Sequence, residues 1–469
     1  MNEDNTLGIS YILEDKFRLI VICLIVLAEL LGLAFLILKK SILGGALLAM
    51  PILGVLGIIF FQRPKLLIFI TVTLMSALPV QHSLFPIEVP SYLVFLMFAA
   101  GLAIFLVKQP NKLVEKRFGA FIEDKLFILF MLSLLFSIFV SLANGHKIKN
   151  IAAAFLILFF YTGYLVGRVY MDDETDWKRL KWILLISVFP ASFELLYQIP
   201  YAELFGIARL LFLQTFTILI AFVIALNELA YGRQSVKGKL FYNLVALTAI
   251  ITIFVSLNRT NWVIYTLAVL MLYFWWASVL KIEMKPILNT FVIWILGIML
   301  TLLILPSKFG LGFLISLIQR VYTFSNLGRD ISVVLRKFDI ATVAKLIGDS
   351  PIWGHGMGAE MWRPWRHKFT TFIDNDYMVV MWHYGLLGLA SLLAFWLSGI
   401  WDSYKLMRSV ERHEFKILYI TTTTVGLLFL VNSLAETIFT TRPHIAIYMM
   451  MVGMGVTRYR VLTPGSSEN

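Results

Sequence analysis

The residues best suited to chemistry in this 469-residue chain are a few arginines, one run of carboxylates and a turn rich in glycine. Ser256-Leu257-Asn258-Arg259 is a short polar stretch between two apolar runs, and Arg329 and Arg336 lie in or beside an amphipathic stretch further on. Fifteen residues after Arg336, Pro351 opens a turn with Gly354, Gly356 and Gly358, a backbone able to pass close to a ligand. Asp374-Asn375-Asp376-Tyr377 then leads into another apolar run. A guanidinium stays charged and forks onto phosphate oxygens, and a carboxylate beside a hydroxyl can take its proton. Other readings of these residues fail on context. GHGMG (354–358) follows no strand and lacks the dinucleotide spacing. The D-x-D form at 374–376 suits metal-dependent nucleotide-sugar enzymes, which set it in a soluble α/β domain that this chain lacks. There is no P-loop, no His or Cys metal cluster and no serine elbow. Cys23 is the single cysteine, so disulfides within the chain are excluded. No metal or other cofactor is expected.

The elements that must position these groups are membrane spans. The chain is 59% hydrophobic and 14% charged, against about 25% charged in a soluble domain, so lipid must solvate part of it. Apolar runs long enough to cross about 30 Å of hydrocarbon fall near 17–38, 41–61, 65–80, 91–107, 125–143, 149–170, 182–199, 209–230, 240–257, 261–280, 288–306, 377–401, 416–436 and 443–457. The third and last are short, giving an all-α polytopic transmembrane helical bundle of 12–14 spans. With the N-terminus inside, 24 of the 40 Lys and Arg fall in inner segments and seven in short outer loops. Both termini are then cytoplasmic. Residues 307–375 form a large helical extracytoplasmic loop, dividing the chain into 1–306, 307–376 and 377–469. The acidic lead Glu3, Asp4, Glu14 and Asp15 marks the first span as a signal anchor and not a cleavable signal. The net charge of +12 is read as Lys and Arg at cytoplasmic helix ends; nucleic acid is not an expected partner. Within the loop, 311–324 and 329–347 are amphipathic, and the second gathers Val333, Phe338, Ile340, Val343 and Leu346 on one apolar side.

Three stretches, taken in order, resemble the O-antigen ligase/polymerase family of bacterial membrane glycosyltransferases. They are Ser256-Leu257-Asn258-Arg259 with Trp262; Arg336 leading to Pro351, Gly354, Gly356 and Gly358; and Asp374-Asn375-Asp376-Tyr377 running into Tyr384-Gly385-Leu386-Leu387-Gly388. The family's ligases carry a histidine at the position of Asp374, which tilts the reading from ligase toward polymerase. The resemblance implies a plasma-membrane enzyme that joins undecaprenyl-pyrophosphate-linked glycans, without a metal, alongside other polysaccharide-assembly membrane proteins.

On that footing Asp374, Arg336 and Arg259 are the expected catalytic residues, with Arg329, Asn375, Tyr377, Gly354, Gly356 and His367 binding substrate. Each has a plainer alternative: Arg259 as an interfacial anchor, Arg336 as a solvated helix face, Asp374 as a helix cap. His367 and His383 stand near the family histidine in sequence but not at its position. Glu436 and Arg442 lie within reach of the outer rim. A flippase for lipid-linked oligosaccharides is the rival from another class, but it would show two related halves. The orientation is directly testable. In a Cys23→Ser background, a membrane-impermeant maleimide added to intact cells is expected to label Lys337→Cys and to spare Lys237→Cys; the reverse pattern inverts the topology.

Overall fold

The computed structural model describes residues 61–77, 91–171, 173–204, 215–231, 234–256, 258–282, 331–440 and 444–462, together with the single positions 295, 318 and 322. Every apolar run that falls among them is helical, because a backbone in hydrocarbon must satisfy its own N–H and C=O groups. In chain order these are α1 (Pro64–Ala77), α2 (Ser91–Lys108), α3 (Ile122–Ala143) and α4 (Ile148–Leu158), the last prolonged by 3₁₀ and π turns to Tyr170. Next come α5 (Glu174–Leu204), α6 (Thr215–Tyr231), α7 (Val236–Val255) and α8 (Arg259–Phe274). After α9 (Ile331–Asp349) the chain forms a hairpin of β1 (Met361–Arg363) and β2 (Lys368–Thr370), antiparallel with Trp362 opposite Phe369. It closes with α10 (Asp376–Ser409), α11 (His413–Asn432) and α12 (Ile445–Leu462). The runs 17–38, and nearly all of 41–61 and 288–306, lie outside the described residues.

Six of these helices are long and apolar enough to cross a membrane, and four shorter ones are apolar as well. The chain is a multi-pass membrane protein. On α3, Leu129, Leu132, Leu135, Phe136 and Phe139 are all more than two-fifths exposed, an apolar face of the kind that lipid covers. The opposite face of α3 packs on α10, and the prolongation of α4 over 159–170 packs on α12. The second contact brings backbones together: a Cβ at Gly167 would sit 2.1 Å from the Met450 carbonyl oxygen. Only glycine permits that approach, as at small-residue helix crossings generally.

A second, small core lies outside the bundle proper. Val343 of α9, Ala359, Met361 of β1, Ile373, Val379 and Trp382 are buried against one another, with Leu346 and Ile347 at the edge. The inward face of α9 differs from the one expected from its sequence pattern. Phe338 and Ile340 are exposed at 63% and 37%, whereas Asp339 is buried. The cause is Arg363 on β1, whose Nη2 lies 2.8 Å from Asp339 Oδ2, turning that side of the helix toward the hairpin. Burial pushes the Asp339 carboxyl above the ordinary aspartate range, while the hydrogen bond from Arg363 pulls the other way.

Buried charge concentrates where α4 ends and α5 begins. Arg168 Nε lies 3.2 Å from Asp124 Oδ1, which also accepts from Tyr164 Oη at 2.7 Å. Lys181 Nζ reaches Glu228 at 2.6 Å and Glu414 at 2.7 Å, and Glu228 accepts further from Gln234 and contacts His413. These pairs tie α5, α6 and α11 in one register. Removing one partner of a buried pair strands the other charge and costs about 3–5 kcal/mol. Lys181→Met is therefore expected to lower the melting temperature of the detergent-solubilised protein by several degrees. Lys178→Met, which breaks only a half-exposed i,i+4 pair with Glu174, should change stability by less than about 1 kcal/mol; equal shifts for the two would refute the structural role of the buried network.

Candidate active site

The site is built at the other end of the bundle, where α3 turns into α4, α7 into α8, and α10 begins. Asn144 Nδ2 donates to the His355 carbonyl at 2.9 Å, and Lys147 pairs with Glu360 at 2.9 Å, so the α3–α4 turn holds the chain after α9. The Lys147 ammonium keeps the Glu360 carboxyl below the ordinary glutamate range. The glycine turn then threads between α3 and a break in α10. Gly385 has φ +65° and ψ −169°, which interrupts α10 after Tyr384 and frees N–H groups for the turn. Leu386 N–H donates to the Pro351 carbonyl at 2.9 Å; in return His355 N–H donates to Trp382 O at 2.8 Å and Gly356 N–H to His383 O at 3.0 Å.

Gly354 and Gly356 are buried in this exchange. A Cβ at Gly354 would come within 2.6 Å of Gly385 N, and one at Gly356 within 2.6 Å of Ser141 N. The close approach that their glycine identity allows is thus to the protein's own backbone.

At the mouth of this scaffold Arg336 and Asp374 meet. Arg336 Nε donates to Asp374 Oδ2 at 3.0 Å, and the side chains are 28% and 47% exposed. The expected cation and expected base are therefore one ion pair, open to a ligand on one side. The next residue takes the capping role: Asn375 is the N-cap of α10, accepting from Met378 N–H at 3.0 Å, and its Nδ2 donates to Leu434 O at 3.2 Å. Tyr377 Oη donates to Leu430 O at 2.6 Å.

Asp376, not singled out for a role by the sequence, organises the surroundings. Fully buried in the first turn of α10, it accepts from Ile438 N–H, from Phe439 N–H at 2.6 Å and from Thr440 Oγ1 at 2.6 Å. Those partners belong to the 433–440 connection between α11 and α12. The same connection carries Glu436, whose Oε1 accepts from Asn258 Nδ2 at 3.0 Å. Asn258 in turn caps α8 through Thr260 N–H at 3.2 Å, and Arg259 is the first residue of that helix. Trp262 Nε1 donates to Ile253 O at 3.0 Å and closes the turn between α7 and α8. The 433–440 connection therefore joins the Arg259 turn to the residues beside Asp374. The sequence places Glu436 within reach of the outer rim, but nothing in it points to Asn258 as its partner.

The other expected residues are placed apart. His367 is exposed at the hairpin tip with a left-handed φ of 46°. His383 is buried on α10, with its carbonyl taken by the glycine turn. Among the described residues no hydrogen bond or ion pair joins either histidine to Asp374. Arg329 and Arg442 lie outside the described residues. Among the described residues there is also no group of three or more His, Cys, Asp or Glu that could hold a metal ion.

Residues 244–393 match the family model described as O-Antigen ligase. The match spans all three stretches of resemblance, the Arg259 turn, α9 with the glycine turn, and the start of α10. No curated protein matches the chain. The family match supports a ligase- or polymerase-type activity on lipid-linked glycans in a membrane.

The two aspartates should separate in their effects on folding. Asp376→Ala leaves two buried N–H groups without their acceptor, at about 1–3 kcal/mol each, and is expected to lower the melting temperature strongly. Asp374→Asn disturbs only an exposed pair worth about 0–1 kcal/mol and should melt with the wild type. Matching melting temperatures for Asp376→Ala and wild type would remove the anchoring role.

Proposed function

We propose, on the premise that residues 244–393 carry an O-antigen ligase-family domain, that the protein is a polymerase-type glycosyltransferase at the outer face of the plasma membrane. It joins undecaprenyl-pyrophosphate-linked oligosaccharide repeat units into a cell-surface polysaccharide. The observation that carries this reading is the Arg336–Asp374 pair, open on one side and held by a scaffold of buried, hydrogen-bonded groups.

In the proposed reaction a hydroxyl of the acceptor sugar attacks the anomeric carbon of the donor. The bond from that carbon to the diphosphate oxygen breaks, and its electron pair leaves with undecaprenyl pyrophosphate. The hydroxyl proton passes to Asp374. Arg336 and Arg259 receive the charge gathering on the diphosphate, with Arg329 as a third cation. The resting pair fits this order of events. An ion pair this open to water is worth about 0–1 kcal/mol, and a diphosphate offers the guanidinium more negative charge and forked acceptors. Donor binding thus draws Arg336 onto the diphosphate and releases the carboxylate to act as base. Asn375 and Tyr377 serve by fixing the start of α10, Gly354 and Gly356 by seating the turn, and His367 as a contact for the incoming glycan. Arginines and a carboxylate suffice for this scheme, which calls on no metal.

A ligase is the second reading, favoured by the description of the family model. Asp374 in place of the ligases' histidine favours the polymerase. Proteoliposomes supplied only with the lipid-linked repeat unit distinguish the two: a ladder of lengthening products is expected from a polymerase, and product only on addition of a separate acceptor from a ligase. Asp374→Asn is expected to slow polymerisation by at least about 100-fold, the scale of general-base catalysis, and Arg336→Gln to abolish it, with Arg336→Lys partly active. In cells Arg336→Gln should leave single lipid-linked units on the outer face; their accumulation on the inner face would replace this reading with a flippase.

A further inference from the structure

At the end of the bundle opposite the Arg336–Asp374 pair, a cavity of about 810 Å³ opens between α1, α2 and α5. Its lining is graded. Arg63, Lys65, Lys178 and Arg179 stand at the rim, around the start of α1 and the first turns of α5. Further along the same helices the lining becomes apolar: Phe69 on α1, Phe105 on α2 and Trp182 on α5. At 1.5 Å of rise per residue, Phe69 lies about 9 Å beyond Arg63 and Trp182 about 6 Å beyond Lys178. α1 and α5 thus run from a cationic edge to an aromatic floor, and α2 adds Phe105 to that floor and Gln109 at its own end.

Two of the four rim cations are neutralised from within and two are not, among the described residues. Lys65 pairs with Asp176 at 2.5 Å and Lys178 with Glu174 at 2.8 Å. Arg63 and Arg179 are exposed, and neither has an acidic partner among the described residues. Two guanidinium groups without an acidic partner among the described residues therefore border a cavity that three aromatic rings also line. Gln109, at the end of α2, adds a further requirement: its Oε1 is buried and accepts no hydrogen bond among the described residues. Trp182 and Leu66 remain 44% and 39% exposed, so the floor is open along its side to the surrounding lipid.

We infer that this cavity binds an anionic phospholipid whose headgroup carries a hydroxyl, of the phosphatidylglycerol kind. The phosphate lies between Arg63 and Arg179, which suit it by charge and by forked geometry. A headgroup hydroxyl donates to Gln109 Oε1, a bond that a choline headgroup has no proton to make. One acyl chain lies along Phe69, Phe105 and Trp182. Basic pockets between membrane helices bind acidic headgroups in this manner, and the apolar floor sets a lipid apart from a free phosphate ion, which has nothing to place there. The site is independent of the chemistry proposed at the other end of the bundle, so it stands or falls on its own test.

The test is native mass spectrometry of the delipidated full-length protein in detergent, titrated with phosphatidylglycerol or with phosphatidylcholine of the same acyl chains. The wild type is expected to retain phosphatidylglycerol at least 5-fold better than phosphatidylcholine. The double variant Arg63→Gln/Arg179→Gln should lose most of that preference. Lys237→Gln/Lys239→Gln, which removes the same charge at the start of α7, should keep it. Millimolar inorganic phosphate should leave the lipid bound. In liposomes, phosphatidylglycerol with brominated acyl chains should quench the tryptophan fluorescence of the wild type more than that of Trp182→Phe. Equal retention of the two lipids overturns the proposal, as does equal loss of lipid in both double variants. Displacement by inorganic phosphate would make a soluble anion the ligand and overturn it as well, and quenching unchanged by Trp182→Phe would remove the acyl-chain assignment.

Discussion

The Asp376 carboxylate is the contact on which the rest of the site depends. Placed in the first turn of α10, it takes the backbone N–H groups of Ile438 and Phe439 and the hydroxyl of Thr440. Hydrogen bonds to an ionised acceptor are about twice as strong as neutral ones, and a helix N-terminus favours negative charge. The 433–440 connection is thereby fixed against α10, and it passes the constraint on. Its Leu434 carbonyl holds Asn375, and its Glu436 holds Asn258 beside Arg259. Two turns that are far apart in the chain, at 258–259 and 374–377, become parts of one rim.

The two ends of the bundle treat charge in opposite ways. Where α4 meets α5, Arg168, Asp124, Lys181 and Glu228 are all at least 96% buried and paired. Charges withdrawn from water this far must keep their partners, since each carries a desolvation cost of several kcal/mol that only pairing offsets. They hold helices and are unavailable to a ligand. Arg336 and Asp374 keep contact with water, so their bond is weak and exchangeable. A cation that can exchange partners has to be of the second kind.

The helices were legible from the sequence because lipid imposes long apolar runs, and each such run among the described residues is a helix. The meeting of Arg336 with Asp374 was legible only as two separate candidates, 38 positions apart. Asp374 and Asp376 look alike on paper. What distinguishes them is that Asp376 lies inside the first helical turn and faces the 433–440 connection, while Asp374 lies just outside it. The inward face of α9 departs from its sequence pattern for a similar reason. Its periodicity favours Phe338 and Ile340, but Arg363 draws Asp339 inward from 24 residues away, across a hairpin with strands of three residues each, too short to leave a pattern. Glycine identity at 354 and 356 signalled a close approach correctly and left open what approaches.

That approach bears on how the site can move. Breaking α10 at Gly385 gives up helical hydrogen bonds, and the carbonyls of Pro351 and Ile352 replace them. Non-helical backbone near a membrane is tolerated where other protein groups satisfy it in this way. The bonds run from backbone to backbone, so they fix the chain after α9 to α10 whatever side chains are present. The small core of Val343, Ile373, Val379 and Trp382 then clamps α9 itself to the same helix. Arg336 and Asp374 accordingly stand on one frame, α9 and α10 being held together by backbone bonds and by a shared core. The freedom left at this place is that of the two side chains, since Arg336 and Asp374 remain 28% and 47% exposed while the backbone that carries them is tied down.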